Sequence, residues 1–95
     1  MSDEPFEVHC TQHGFGWECR VFVGTPEDGE EHLVTVSRGE LARLAPGEWE
    51  PTRLVEESFR FLLAREPRQS ILRKFAISDI ARYFPDFPDE ITRRI

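Results

Sequence analysis

Apolar and polar side chains alternate along two early segments of the chain, residues 6–12 and 17–23. A period of two is typical of β-strands that are buried on one face only. Between the segments, Gly14 stands at the first central position of a two-residue loop, which suits a type II′ hairpin turn. That turn places Cys10 opposite Cys19 and puts the apolar side chains of both strands on one face.

A third segment, residues 31–37, repeats the alternation after a loop of glycine, proline and acidic residues at 24–30. We predict a second hairpin that places Val34 opposite Val23, so that the apolar face continues across all three strands. An antiparallel meander over residues 6–37 follows from this pattern. A three-stranded sheet with one apolar face needs a cover of helices.

Helical spacing of the apolar residues begins after this meander. Ser37 and Glu40 have the spacing of a capping box, which predicts a short helix that ends at Pro46. The main helix is predicted over residues 52–65, entered from Pro51, because its leucine, valine and phenylalanine residues recur every three or four positions.

Shorter helical segments complete the prediction. Residues 67–75 carry three apolar anchors (Ile71, Leu72 and Phe75), and Ser78 is the expected N-cap of a short helix that follows. The predicted fold class is α+β: a three-stranded antiparallel meander followed by three or four helices packed on one face. The whole chain, residues 1–95, is predicted to be one domain, with the meander at 6–37 and the helical part at 38–95.

Charge narrows the range of partners. The formal net charge is −6, but residues 1–52 carry −8 and residues 53–95 carry +2. The acidic half would repel nucleic acid and anionic lipid. No apolar run approaches the roughly 18 residues that a membrane span needs. The N-terminal sequence MSDEPFEVHC has no apolar core of a signal peptide, so a cytoplasmic location and no membrane partner are expected.

Cysteine and histidine residues crowd the meander, and zinc is commonly bound by these two residue types. They are His9, Cys10, His13, Cys19 and His32. A C-x₂₋₄-C knuckle is missing, and the predicted register turns both cysteines toward the core, where a free cysteine packs as a small apolar side chain. In a reducing cytosol the two are expected to be thiols rather than a disulfide. We therefore assign no metal ligand, cofactor or catalytic residue, and a small metal- or thiol-based site stays an alternative.

The second alternative is a nucleic-acid-binding regulator that uses a helix pair at residues 67–84. Two short helices joined by a tight turn resemble a helix-turn-helix. Asp79 in the first turn of the second helix would face phosphates unfavourably, and the net charge is acidic. A helix hairpin that closes the core fits better, so nucleic acid is not the expected partner.

Two groups of side chains are candidates for binding. A basic cluster near the end of the main helix could hold carboxylates or phosphates. Aromatic residues in predicted loops are typical anchors of protein interfaces. The candidate binding residues are Arg65, Arg68, Arg73, Lys74, Trp49 and Tyr83. The expected function is a non-enzymatic protein-interaction module, with a protein partner or a second copy of the chain.

Residues from the third strand onward resemble a group of short, uncharacterised bacterial proteins. The resemblance rests on the stretch FRFLLAREP at residues 59–67, on Ser70-Ile71-Leu72 with Phe75, and on Ile80 with Tyr83-Phe84-Pro85. It covers roughly the last two-thirds of the chain. It implies no activity, because none is known for that group, and it assigns no functional residue.

Overall fold

The computed structural model describes residues 4–95, so residues 1–3 of the predicted domain and of the N-terminal segment lie outside the described residues. The strands are β1 (Phe6–His13), β2 (Gly16–Gly24), β3 (Gly29–Ser37) and β4 (Lys74–Ala76). The helices are α1 (Arg38–Leu44), α2 (Pro51–Leu63), α3 (Ile80–Tyr83) and α4 (Phe87–Arg94). Two 3₁₀ turns, Arg68–Ser70 and Ile77–Asp79, flank β4. The α+β class is confirmed, but the sheet has four strands rather than three.

The first hairpin has the predicted register. Cys10 lies opposite Cys19, and Phe6 lies opposite Val23. Gly14 has a positive φ of 61°, as the first central residue of a type II′ turn requires. Cys19, Val21 and Val23 of β2 are fully buried on the helix side of the sheet, while Glu7 and Arg20 are exposed on the other side.

The register of the second hairpin was predicted wrongly. Val34 pairs with Cys19, four positions from the expected Val23. Strand β2 continues to Gly24 and β3 starts at Gly29, so the loop is a tight turn over residues 25–28. Two backbone hydrogen bonds close this turn: Thr25 N donates to Asp28 O at 3.2 Å, and Asp28 N donates to Thr25 O at 3.1 Å. A shift of the strand register by an even number of residues keeps each side chain on its own face of the sheet, so Val34 is buried as expected.

The segment predicted as helical over residues 67–75 is instead a 3₁₀ turn followed by β4. This short strand runs parallel to β3, with Val34 opposite Phe75, so the sheet is mixed and has the order β1-β2-β3-β4. The backbone N–H of Leu33 donates to Arg73 O at 2.7 Å. A helix here would leave the outward N–H and C=O groups of β3 without hydrogen-bond partners, whereas β4 provides those partners.

The capping box of α1 is confirmed, since Ser37 Oγ accepts from the Glu40 backbone and the Glu40 carboxylate accepts from the Ser37 backbone. The main helix is also confirmed, although α2 starts at Pro51, a favoured first position, and ends two residues before the predicted end. One side of α2 is buried against the sheet, and Phe59 at its centre is fully buried.

Ser78 does not cap the next helix as predicted. The Asp79 carboxylate accepts from the Ala76 backbone N–H at 3.1 Å, while the Ser78 side chain donates to Glu40. Because Ser78 bonds a buried carboxylate on α1, it joins that helix to the turn before α3. No helix within residues 4–95 is long and apolar enough to cross a membrane.

Candidate functional site

A small apolar cavity lies between the C-terminal end of α2, the segment that leads into β4, and α3. Its volume is about 130 Å³. An apolar cavity of about 150 Å³ is large enough to bind benzene, so this one has room for a single large apolar side chain. The lining residues are Leu62, Glu66, Ser70, Ile71, Leu72, Phe75, Asp79, Ile80, Tyr83 and Phe84.

The inner wall of the cavity is built from core residues. Leu62 comes from α2, Phe75 from β4 and Ile80 from α3, and all three are buried. At the mouth, Leu72 is 48% exposed and Tyr83 is 65% exposed. Leu72 was predicted to be a core anchor, but the extended chain before β4 turns it outward, and Tyr83 is the one predicted site residue that lines the cavity.

The mouth of the cavity is acidic. Glu66 is half-buried, and none of the ion pairs or side-chain hydrogen bonds found in residues 4–95 involves its carboxylate. It follows the last turn of α2, and its backbone N–H donates to Leu62 O. The partial negative charge of a helix C-terminus favours cations there, so a basic group beside Glu66 would be favourable. Asp79 adds a second carboxylate, 3.9 Å from Arg82.

Arg68, a predicted binding residue, is buried inside the protein. It forms ion pairs with Glu4 and with Asp28, the latter at 2.9 Å. Burial alone would lower the pKa of Arg68, but the hydrogen bond to Asp28 and the charges of both carboxylates outweigh it, so the pKa is raised. This side chain ties the N-terminal residues and the β2–β3 turn to the segment after α2, and it is not free to bind a ligand.

The other three basic residues do not form a shared surface with Arg68. The guanidinium of Arg65 lies 3.7 Å from the centre of the Phe61 ring and 3.5 Å from the Asp86 carboxylate. Arg73 pairs with Glu30 at 3.4 Å, and Lys74 is exposed on β4. Each arginine therefore pairs with an acidic residue of the chain itself.

The predicted aromatic residue Trp49 is 75% exposed in the loop between α1 and α2, away from the cavity lining. Phe15 at the tip of the first hairpin is 90% exposed. It borders a second, open depression of about 470 Å³, where the Arg38 guanidinium lies 5.2 Å from the Trp17 ring. This second surface is broad and open, so it encloses a ligand less completely than the cavity does.

The two cysteines form a disulfide, which corrects the prediction of free thiols. Cys10 and Cys19 face each other across β1 and β2 with a Cα–Cα distance of 4.0 Å. The prediction of thiols rested on an expected compartment, whereas the register itself brings the two sulfurs together. His32 is fully buried, and its Nδ1 donates to Leu72 O at 2.8 Å. No group of three metal-binding side chains occurs among residues 4–95.

Glu40 is the most extensively bonded carboxylate of the helical layer. It is buried and accepts from Ser37 N at 2.8 Å, from Ser78 N at 3.1 Å and from the Ser78 hydroxyl. Burial raises its pKa, but the hydrogen bonds from Ser78 and Ser37 outweigh this, so the pKa of Glu40 lies below its ordinary value of 4.5. With its acceptors occupied, this group has a structural role.

Tyr83, Leu72 and Glu66 all line the cavity, and only the first of them was a predicted site residue. The one sequence signal for Glu66 is its position at the end of a helix, where a basic residue would be more stable. Leu72 gave no such signal, because its spacing from Phe75 also suits a buried helix face.

No protein-family model, curated protein or solved structure matches the chain.

Proposed function

We propose that the protein is a non-enzymatic interaction module that binds a short segment of a partner protein at the cavity. One apolar side chain of the partner enters the cavity, and a neighbouring basic residue lies against Glu66. The observation that carries the proposal is the unpaired, half-buried Glu66 carboxylate beside an apolar cavity with an exposed mouth.

The chemistry of the lining supports binding rather than catalysis. The lining contains neither histidine nor cysteine, and Ser70 is its one hydroxyl besides Tyr83. A serine nucleophile needs a base within hydrogen-bond distance, and the described residues give Ser70 none through its side chain. Leu72 and Tyr83 supply the exposed apolar and aromatic contacts that anchor protein interfaces.

The expected affinity is modest. Burial of one large apolar side chain contributes about 1.5–3 kcal/mol, and a partly exposed ion pair adds about 0–1 kcal/mol. A single segment would therefore bind weakly, and its specificity would come from the combination of an apolar and a basic residue. The nucleic-acid alternative lacks its helix pair, because residues 67–76 form a turn and a strand.

Two matched peptides test the proposal by NMR titration of the ¹⁵N-labelled protein: Ac-Gly-Arg-Leu-Arg-Gly-NH₂ and its counterpart with glutamate in place of arginine. The arginine peptide is expected to shift the amides of Leu72 and Tyr83 and to bind more tightly than the glutamate peptide. In Glu66→Gln this preference should largely disappear. In Leu72→Gln, which removes an apolar contact without adding charge, binding of both peptides should weaken.

Trp49→Ala is the matched control, because Trp49 is also an exposed apolar residue but does not line the cavity. It should bind the arginine peptide as the unaltered protein does. Because contributions of at most about 4 kcal/mol correspond to a dissociation constant of about 1 mM or weaker, the titration extends to tens of millimolar peptide. The proposal is overturned if neither peptide shifts the cavity amides over that range, or if Glu66→Gln keeps the full preference for arginine.

A further inference from the structure

Strand β1 forms one edge of the sheet, and its backbone groups face outward in a regular pattern. Among residues 4–95 no segment pairs with its outer side. The Cα atoms of Cys10 and Cys19 are 4.0 Å apart, which marks a non-hydrogen-bonded pair, for which the usual separation is about 4.5 Å. Gly24 N donates to Pro5 O at 2.8 Å, as expected for the alternate, hydrogen-bonded pairs.

The N–H and C=O groups of every second residue therefore point away from β2. These residues are Phe6, Val8, Cys10 and Gln12. Exposed edges are usually protected by lysine, proline or a β-bulge. Strand β1 contains neither lysine nor proline, and its ladder with β2 runs without interruption over eight residues. The edge is thus suited to pairing with another strand.

The side chains along this edge divide into an apolar row and a polar row. Phe6, Val8 and Cys10 are half-buried against the helical layer, and their outer sides are uncovered. Glu7 and His9 are well exposed on the opposite face. The apolar side chains of an added strand would pack beside the apolar row, and basic side chains on its other face would lie beside Glu7.

The position of α2 determines which kind of strand fits. The centre of the Phe59 ring lies 6.1 Å from the centre of the Phe6 ring, and the Arg60 guanidinium carbon lies 5.8 Å from that same Phe6 centre. Helix α2 therefore packs over β1. Two copies joined through β1 would place their first strands roughly 4.8 Å apart, whereas packed helices need about 8–10 Å between their axes. A second copy would bring its own α2 beside the first at this edge, while an extended peptide without a helix avoids that crowding.

We infer that the edge of β1 binds an extended, basic peptide segment of a protein partner as an additional antiparallel strand. The segment alternates apolar residues, beside Val8 and its neighbours, with arginine or lysine beside Glu7. The charge of −8 over residues 1–52 favours such a segment over an acidic one. This surface is separate from the cavity, so either site can exist without the other.

The test uses the probe Ac-Arg-Val-Arg-Val-Arg-Val-NH₂ and amide hydrogen exchange followed by NMR. The probe should slow exchange at the outward amides of Phe6, Val8, Cys10 and Gln12. The amides that already bond β2 should change little. A matched peptide with glutamate in place of arginine should bind about fivefold more weakly or worse, as expected for the loss of exposed ion pairs.

Two variants at one position separate edge binding from folding. Val8→Pro removes an outward N–H without removing a bond to β2, and Val8→Lys leaves the backbone intact but places a lysine on the edge. Both should lose the alternating protection, and Val8→Lys should keep the unaltered amide spectrum elsewhere. Leu72→Gln, at the cavity, should bind the probe normally.

Three results would overturn the inference. The first is exchange that is unchanged at the outward amides with saturating probe. The second is probe binding that survives in Val8→Lys. The third is a dimer in sedimentation experiments that Val8→Lys dissociates, because the edge would then be occupied by a second copy of the chain.

Discussion

Replacement of Glu40 by glutamine changes one atom of a buried group that joins α1 to the segment before α3. The Glu40 carboxylate uses one oxygen for Ser37 N and the other for Ser78 N and the Ser78 hydroxyl. Glutamine has a single acceptor oxygen, so at least one backbone N–H would face an NH₂ group and lose its partner. A hydrogen bond to a charged group contributes about 1.5–3 kcal/mol, so we expect Glu40→Gln to lower the free energy of unfolding by about 2–3 kcal/mol.

The stability difference between the unaltered protein and Glu40→Gln should depend on pH. Because the hydrogen bonds hold the pKa of Glu40 below 4.5 in the folded state, the unfolded chain takes up a proton first as the pH falls. The carboxylate therefore stabilises the fold above about pH 4.5, and this contribution is lost as the pH falls through the folded pKa. Glutamine does not titrate, so the difference between the two proteins should narrow below pH 4.5.

Urea unfolding followed by tryptophan fluorescence, at neutral pH and in steps toward pH 3, measures this difference. Glu31→Gln is the matched control, since Glu31 is exposed on β3, and it should change stability by no more than about 0.5 kcal/mol. A double-mutant cycle with Ser78→Ala should show coupling between the two positions. A cost for Glu40→Gln no larger than that of the control, or a difference that does not change on acidification, would refute the reasoning.

Two further predictions concern the meander. Gly24 has a φ of 110°, and a Cβ there would lie 2.5 Å from Asp28 O. Gly24→Ala should therefore lower the free energy of unfolding in the urea assay by about 2 kcal/mol or more. The control, Gly39→Ala inside α1, should be neutral or stabilising by up to about 1 kcal/mol. Reduction of the Cys10–Cys19 disulfide, whose cysteines are 9 residues apart, should cost about 2–3 kcal/mol; an unchanged urea midpoint in reducing buffer would contradict this.

The parts of the fold that sequence predicted well depend on local chemistry. Gly14 and the alternation on either side of it agree on one register, because a slip by one residue would turn every apolar side chain outward. The Ser37–Glu40 box marks the start of α1 for a similar reason, since both partners lie within one turn. The β2–β3 register escaped prediction because any even shift preserves the alternation, and only the turn at residues 25–28 selects one.

The parts that were missed depend on contacts between distant segments. Strand β4 exists because the outer edge of β3 needs partners, and its residue Lys74 lies opposite Leu33, far away in sequence. Arg68 was interpreted as a surface cation, and only the folded chain brings Glu4 and Asp28 to it. Of the candidate site, Tyr83 was predicted, whereas Glu66 became notable only once the cavity beside it was visible.

The late position of β4 in the chain has a consequence for the order of folding. Strands β1 to β3 pair through short turns, whereas the pairing of β4 with β3 closes a long loop over residues 38–73, which costs more conformational entropy, so we expect β4 to join the sheet late. The cavity is lined by Ile71, Leu72 and Phe75 from this segment, so we expect it to be completed late in folding as well. A ligand that bound there would, by mass action, stabilise the pairing of β4 with β3.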